Sequence, residues 1–240
     1  MIRAIKTRIF RYGEDLESFI LESVPRELVT EGSVLAVTSK IASLAERRSV
    51  PASSIDKMSL VRKEADHFLG EVGYGCALTI KEGLFIPSAG IDESNSENGD
   101  YLLYPTDPFA TVERLWKGLK EAWGISRFGV VLTDSHTTPL RKGVTGISLS
   151  HSGFCGIKDM IGTRDLFGRE LKMTTINAAD ALAGSAVFAM GEGAESKPLA
   201  WISGAEIEFT QQTSPTEVRM PLTEDLYYPF FRDLLEPLSR

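Results

Sequence analysis

The chain has 240 residues, 42% of them hydrophobic and 25% charged, which is the balance of an ordinary globular protein long enough for one large domain or two interlocked ones. A net charge of −7 excludes a general attraction to nucleic acid or anionic membrane, so a phosphate-bearing ligand would need local Lys, Arg, backbone N–H groups or a divalent cation. No uncharged apolar run approaches the roughly 18 residues of a bilayer span, "MIRAIKTRIFRYGED" lacks a secretory core, and two cysteines with three scattered histidines favour reduced thiols in a cytoplasmic protein over a disulfide or zinc site.

Taken in chain order, "IRAIK" alternates weakly and predicts a first strand. Leu16, Phe19, Ile20 and Val24 fall at helical spacing, with Pro25 marking the end of that helix. "SVLAVTS" (33–39) is an apolar run of strand length. In "DKMSLVRKEADHFL" (56–69), Met58, Val61, Ala65, Phe68 and Leu69 form one stripe that predicts a helix, with His67 at its surface. "GCALTI" and "GLFIP" read as strands flanking a Lys81-Glu82-Gly83 turn.

"TDPFATVERLWKGLKEAW" carries the clearest helix start, with Asp107 as N-cap and Pro108 in the first turn. Its buried face holds Phe109, Val112, Leu115, Trp116 and Leu119, so its tryptophans belong to a core and not to a base-stacking platform. "FGVVLTD", "VTGISLS" and "RELKMTTIN" then read as strands. A small-residue helix, "AADALAGSAVFAM" (178–190), leads through "GEG" to the strand "LAWIS". The acidic, aromatic tail from Pro221 to Arg240 suggests a packed terminal helix. Strands and helices mix without a steady βαβ rhythm, so the expected fold class is α+β (mixed α/β), in a single unit over 1–240.

Three loops concentrate carboxylates, glycines and small polar residues: Ala89 to Gly99, the segment "TDSHTTPLRKG" (133–143), and Met190 to Lys197. Asp134, Ser135 and His136 stand side by side, but neighbours on a strand point to opposite sides, which disfavours a hydrolytic triad made of these three alone. The third loop mimics a phosphate-binding P-loop in Gly191, Ser196 and Lys197. It fails that pattern because no Gly precedes Lys197, Pro198 follows it, and the helix lies before the loop. Each loop alone is explained by turn formation or helix termination. Together, Asp92, Asp134 and Glu192 form a hard-oxygen set suited to Mg²⁺ or Mn²⁺. Two carboxylates about 4 Å apart repel by about 4 kcal/mol at an effective dielectric of 20, and a divalent cation turns that repulsion into attraction.

"SAGIDESN", "VVLTDSHTTPLRKGVTG", "IGTRDLFGREL" and "MGEG" resemble, in this order, motifs of the CofE family, the coenzyme F-420-0:L-glutamate (γ-glutamyl) ligases, from about Ser33 to Gly204. The resemblance implies a two-domain fold unlike the P-loop and Rossmann folds, an intertwined homodimer, and a GTP-dependent ligase using two divalent cations, Mg²⁺ or Mn²⁺. GTP would phosphorylate an acceptor carboxylate, and the amine of L-glutamate would attack the acyl phosphate.

Carried over by position, Asp92 and Asp134 resemble ligands of one metal, and Ser135 and Glu192 ligands of the other. Thr7, Arg8, Ile9 and Phe10, the pair Ser39 and Lys40, Asn95, and Met190, Gly191, Glu192, Gly193, Ala194, Glu195, Ser196 and Lys197 match nucleotide-contacting positions. Asp134 and Arg141 are the expected catalytic pair, Arg141 steadying a phosphate or carboxylate with its planar fork. The chain departs from the family pattern at three places. Ser135 stands for a threonine, Thr137 and Thr138 stand for a Gly-Arg pair, and Leu44 stands for a lysine, with Lys40 one helical turn earlier as its substitute. These departures leave open a folate in place of F-420-0 as acceptor, or a nucleotide-binding protein without turnover.

Overall fold

A computed structural model describes residues 1–96 and 99–235 of the chain. The elements are β1 (Ile2–Ile5), α1 (Leu16–Ser23), β2 (Ser33–Thr38), α2 (Ser39–Ala45), β3 (Ser49–Val50) and α3 (Lys57–Glu64). They continue with β4 (His67–Val72), β5 (Cys76–Lys81), β6 (Leu84–Pro87), β7 (Tyr101–Leu102), α4 (Pro108–Trp123) and β8 (Phe128–Thr137). The last are β9 (Val144–Ser152), β10 (Ile157–Asp159), β11 (Thr175–Asn177), α5 (Ala178–Met190), β12 (Leu199–Ser203) and α6 (Tyr228–Leu235). The expected mixture of helix and strand is what forms, and no described helix is long and apolar enough to cross a membrane.

The chain divides into two compact units. The larger comprises Met1–Arg47, Pro105–Ser135 and Gly143–Val218, and the smaller comprises Arg48–Tyr104, His136–Lys142 and Arg219–Arg240. The larger unit is built on a five-stranded sheet in the order β1-β12-β2-β8-β9. β12 runs antiparallel to both β1 and β2, and β2 runs parallel to β8, so β1, β2 and β8 all end at the same sheet edge.

Alternation along the strands supplies two apolar faces. Val34, Ala36, Val131, Ala200 and Ile202 pack on α5 through Ala179, Ala183, Ala186, Val187 and Met190. On the other face, Trp123 of α4 meets Phe128 and Trp201 edge-on, with centroids 5.4 and 5.5 Å away. The tryptophans of α4 are thus core groups, and Trp116 Nε1 donates to the Phe128 carbonyl at 2.8 Å. The helix begins as its sequence dictates, with Asp107 accepting from the Ala110 N–H at 2.9 Å, a cap worth about 1 kcal/mol.

Glu31, ahead of β2, accepts the N–H groups of Ser126 at 2.8 Å and Arg127 at 2.6 Å, ahead of β8. These two bonds hold its carboxyl below the usual carboxylate range. A carboxyl depressed in the folded state stabilises the fold above its unfolded pKa and loses that contribution as pH falls below it. The melting temperature should therefore fall between about pH 4.5 and lower values, and Glu31→Gln should flatten this part of the profile. Thermal melts of both proteins from pH 6 to pH 3 check this, and superimposable slopes would contradict it.

The smaller unit holds the antiparallel sheet β4-β5-β6 and the short pair β3-β7. Leu60 and Val61 of α3 pack there with Ala77, Ala89, Ile91 and Leu103. Glu82 and Gly83 both take positive φ (53° and 69°) in the expected β5–β6 turn. In the terminal segment, α6 sets Phe231 against Phe85 at 5.2 Å, while Phe230 and Leu234 are exposed. The rest of the expected tail, from 236 onward, lies outside the described residues.

Three expectations need correction. The helix expected over 56–69 ends at Glu64: Ala65 turns extended (φ −70°, ψ 138°), Asp66 N–H donates to Ile80, and His67–Val72 form β4. Phe68 and Leu69 are strand residues that happen to continue the helical spacing, and a bulge between Phe68 and Gly70 shifts their register. His67 is exposed, on a strand instead of a helix.

The strand expected over "RELKMTTIN" reduces to Thr175–Asn177. Upstream, Asp165 accepts the N–H groups of Phe167 at 2.8 Å and Arg169 at 2.9 Å and folds the chain into a turn. Finally, β8 continues to Thr137, so Asp134 lies within the strand and His136 is a strand residue instead of a loop residue.

Candidate active site

In the larger unit, four of the segments singled out in the sequence meet at one edge of the sheet. Past the end of β1, Thr7 N–H donates to the Ser196 carbonyl at 2.9 Å. At the end of β2, Thr38 N–H donates to the Pro198 carbonyl at 3.0 Å, and Ser39 and Lys40 form the first turn of α2. Thr38 pairs with Thr133 of β8, which places Asp134 and Ser135 immediately beyond it. Adjacent strands lie about 4.8 Å apart, so β1 to β8 covers three spacings, about 14 Å of edge. Carboxyl ends of neighbouring parallel strands are where open α/β sheets gather ligands, because the loops that leave them converge.

The local structure of each segment follows from its residues. Thr133 is fully buried and its hydroxyl reaches the Val37 carbonyl at 3.3 Å, whereas Asp134 and Ser135 are half-buried. Burial thus ends at Thr133, and the next two side chains point to opposite sides of the sheet. Gly191 caps α5 with φ 85° and ψ 171°, its N–H bonded to the Val187 carbonyl. The carboxylate of Glu195 folds back onto this loop, accepting the Gly193 N–H at 2.8 Å. Residues 191–196 are exposed, Glu192 among them, and Lys197 is half-buried.

Lys40 and Leu44 both lie on α2, so the helical relation expected between them holds. Arg8 is engaged by carboxylates: Nη1 donates to Glu14 Oε2 at 2.9 Å, Nη2 pairs with Glu14 Oε1, and Nη2 also reaches Glu22 at 3.2 Å. Ile9 is 80% exposed, while Phe10 is buried against Phe19 at 4.9 Å, edge to face.

The remaining residues lie in the smaller unit. Asp92 forms a two-way backbone bridge with Leu102, at 3.0 and 2.8 Å, and its Oδ1 accepts the Ser94 N–H at 2.7 Å. Its neighbour Glu93 is ion-paired with Lys57 at the start of α3. Asn95 is exposed with φ 58°, a conformation asparagine tolerates in turns. The approach to Asp92 is tight, since Gly90 (φ 70°) sits against Tyr104, and a Cβ there would lie 2.1 Å from the ring. Arg141 is exposed in the turn after β8, its N–H bonded to the Thr138 carbonyl at 3.1 Å.

Cys76 and Cys155 are free thiols, as expected. Among the described residues, no three His, Cys, Asp or Glu side chains are grouped so that they could hold a metal ion. Sequence reasoning gave no role to His151 or Glu217. His151 is buried and its Nε2 lies 2.9 Å from Glu217, whose carboxylate also accepts the Gly156 N–H at 3.0 Å. A histidine inside the serine-rich run "SLSHS" was the available signal.

The chain matches the family described as F420-0:Gamma-glutamyl ligase over residues 4–204, from β1 through β12. It is 31% identical over 230 residues to the Coenzyme F420:L-glutamate ligase of Methanopyrus kandleri, covering 88% of this chain and 89% of that protein. The protein of the same name from Archaeoglobus fulgidus is 33% identical over 216 residues, 83% of this chain and 85% of that one. That of Methanocaldococcus jannaschii is 30% identical over 237 residues, 91% and 93%. With the match running from within β1 to just past β12 and relatives aligned over most of both chains, this chain belongs to the F420-0:gamma-glutamyl ligase family.

Proposed function

We propose that this protein joins L-glutamate to coenzyme F-420-0 through an amide bond on the acceptor's carboxylate, any later glutamate being added through a γ-glutamyl bond, using GTP. The observation that carries the reading is the single sheet edge where Thr7, Ser39, Lys40, Asp134, Ser135 and the 190–198 loop gather, within a chain of this ligase family. An edge of that kind, with two lysines, exposed loop amides and two carboxylate-bearing segments, suits a polyphosphate accompanied by divalent cations.

In the proposed reaction, an oxygen of the acceptor carboxylate attacks the γ-phosphorus of GTP and GDP leaves. The glutamate amine then attacks the acyl carbon, loses a proton, and inorganic phosphate departs as the amide forms. Asp92, Asp134, Glu192 and the Ser135 hydroxyl are the proposed donors to two divalent cations. Bound there, such ions neutralise phosphate charge during transfer. The side chains of Lys40 and Lys197 and the amides of the 190–197 loop hold and orient the phosphates, and Arg141 steadies an anionic group of a substrate. A homodimer is part of the same reading.

The test is purified protein with Mg²⁺ or Mn²⁺, GTP or ATP, L-glutamate, and either F-420-0 or a tetrahydrofolate, followed by mass spectrometry. The expected result is F-420-0 carrying one or more added glutamates with GTP consumed. Glutamylation of the folate alone would replace the acceptor. Intact nucleotide binding without product under any combination would make the protein a binding protein.

A further inference from the structure

Between β1 and α1 the chain runs through Thr7 to Glu14 without pairing to a neighbouring strand, yet it borders the sheet edge described above. Its order comes from a few side chains. Phe10 is buried edge-on against Phe19, and the Arg8 guanidinium lies 4.8 Å from the centre of the same ring. Glu14 takes both η nitrogens of Arg8 and accepts the Arg11 N–H at 3.0 Å, and Glu22 takes Nη2 as well. The turn that follows docks on α2, with Gly13 N–H bonded to the Leu44 carbonyl at 2.9 Å.

We propose that Arg8 is a positioning residue that orders Thr7–Phe10 through Glu14 and Phe19, and is not a cation offered to phosphate. The proposal rests on the nucleotide-binding reading of this edge. One guanidinium faces two carboxylates, so an approaching phosphate meets a locally negative group and would have to displace a bidentate partner. Glu14 has its carboxyl held down to about 2, chiefly by Arg8, so it stays ionised at any pH where the enzyme would work. An exposed ion pair adds little to global stability, which places the effect of this one in local order.

The sign of one substitution separates the two roles. Arg8→Met, Glu14→Gln and the double variant are compared in the full chain, using a non-hydrolysable GTP analogue with Mg²⁺, steady-state kinetics, and hydrogen exchange of amides 7–13 without nucleotide. For a positioning role, each single change weakens binding and raises the nucleotide KM by about three- to tenfold, leaving kcat and Tm near wild type. The double variant is then no worse than the poorer single one, and exchange over 7–13 speeds up in all three. For a phosphate ligand, Glu14→Gln frees the guanidinium and leaves binding unchanged or tighter, while Arg8→Met alone weakens it. That result, or unchanged exchange in all variants, overturns the proposal. If the wild type binds neither GTP nor ATP, the nucleotide reading fails, while the exchange experiment still judges whether Arg8 orders the segment.

Discussion

Asp134→Ala will abolish glutamate ligation while leaving a folded, cooperatively melting protein. Strand β8 is buried up to Thr133 and loses its cover at Asp134, so truncating this side chain opens no apolar cavity. The strand is held by neighbours other than this carboxylate, through the parallel pairing of residues 128–133 with β2. Substitutions outside cores usually change stability by less than about 0.5 kcal/mol. Turnover should respond far more. Changing a group that merely supports a metal ligand costs about 10–100-fold, so loss of a ligand itself should cost at least about 100-fold. Mass-spectrometric turnover, with circular dichroism melts on the same preparation, decides it. Wild-type turnover in a folded Asp134→Ala protein would remove this residue from the metal site. Asp134→Asn keeps the volume and one oxygen but removes the charge, and it should be nearly as inactive because charge neutralisation is the function proposed.

Why the end of burial ahead of Asp134 was legible in the sequence, and other features were not, comes down to range. "FGVVLTD" carries its own burial boundary, an apolar run that stops at a carboxylate, and the boundary survives folding at Thr133. Helices α4 and α5 were equally clear, because Asp107, Pro108 and Gly191 act within one turn of themselves. Helix α3 was over-extended because Phe68 and Leu69 satisfy helical spacing by coincidence, and the group that ends the helix, the Ile80 carbonyl receiving Asp66 N–H, lies fourteen residues away. The strand expected over 169–177 shortens for a reason pattern alone does not reveal: 169–174 folds back on 160–165 through scattered bonds and a single Arg164–Glu170 bridge, around a turn held by the Asp165 carboxylate. The strands β3 and β7 are two residues each, too short to carry any period. As for the candidate site, the loops were found by composition, but the approach of the 190–197 loop to the ends of β1 and β2 depends on β12 inserting between those strands, a long-range pairing no spacing encodes. The commitment of Arg8 to Glu14 and Glu22 was likewise invisible before the chain was folded.

Two glycines at one interface should respond to the same substitution with opposite signs. Helix α5 lies close on the sheet because its inward residues are small: Ala179, Ala183 and Ala186 have no exposed surface. Opposite them on β9, Gly146 would place a Cβ 2.5 Å from the Ala183 carbonyl oxygen and 2.7 Å from Val187 Cγ2. The first of these atoms is backbone, so Gly146→Ala forces the helix away from the strand instead of turning a side chain. Overpacking of this kind costs about 1–3 kcal/mol, and at about 2–4 °C per kcal/mol for a chain of this size the melting temperature should drop by roughly 2–12 °C. Gly184, on the helix side, has nothing nearer than 3.5 Å to its virtual Cβ, the Gly146 carbonyl oxygen and Thr145 Oγ1. Alanine fits there at ordinary contact distance and favours the helix by up to about 1 kcal/mol, so Gly184→Ala should raise the melting temperature by a few degrees. The functional consequence separates them too. Glu192 follows the last residue of α5, Met190, by only two positions, so the helix-to-sheet spacing sets where that carboxylate stands relative to the sheet edge. A displacement near 1 Å can cost about 100-fold in rate, which predicts a large loss of turnover for folded Gly146→Ala and wild-type turnover for Gly184→Ala. Equal melting temperatures for the two variants would show that α5 has slack against β9, and would undo the argument that small residues fix its distance from the sheet.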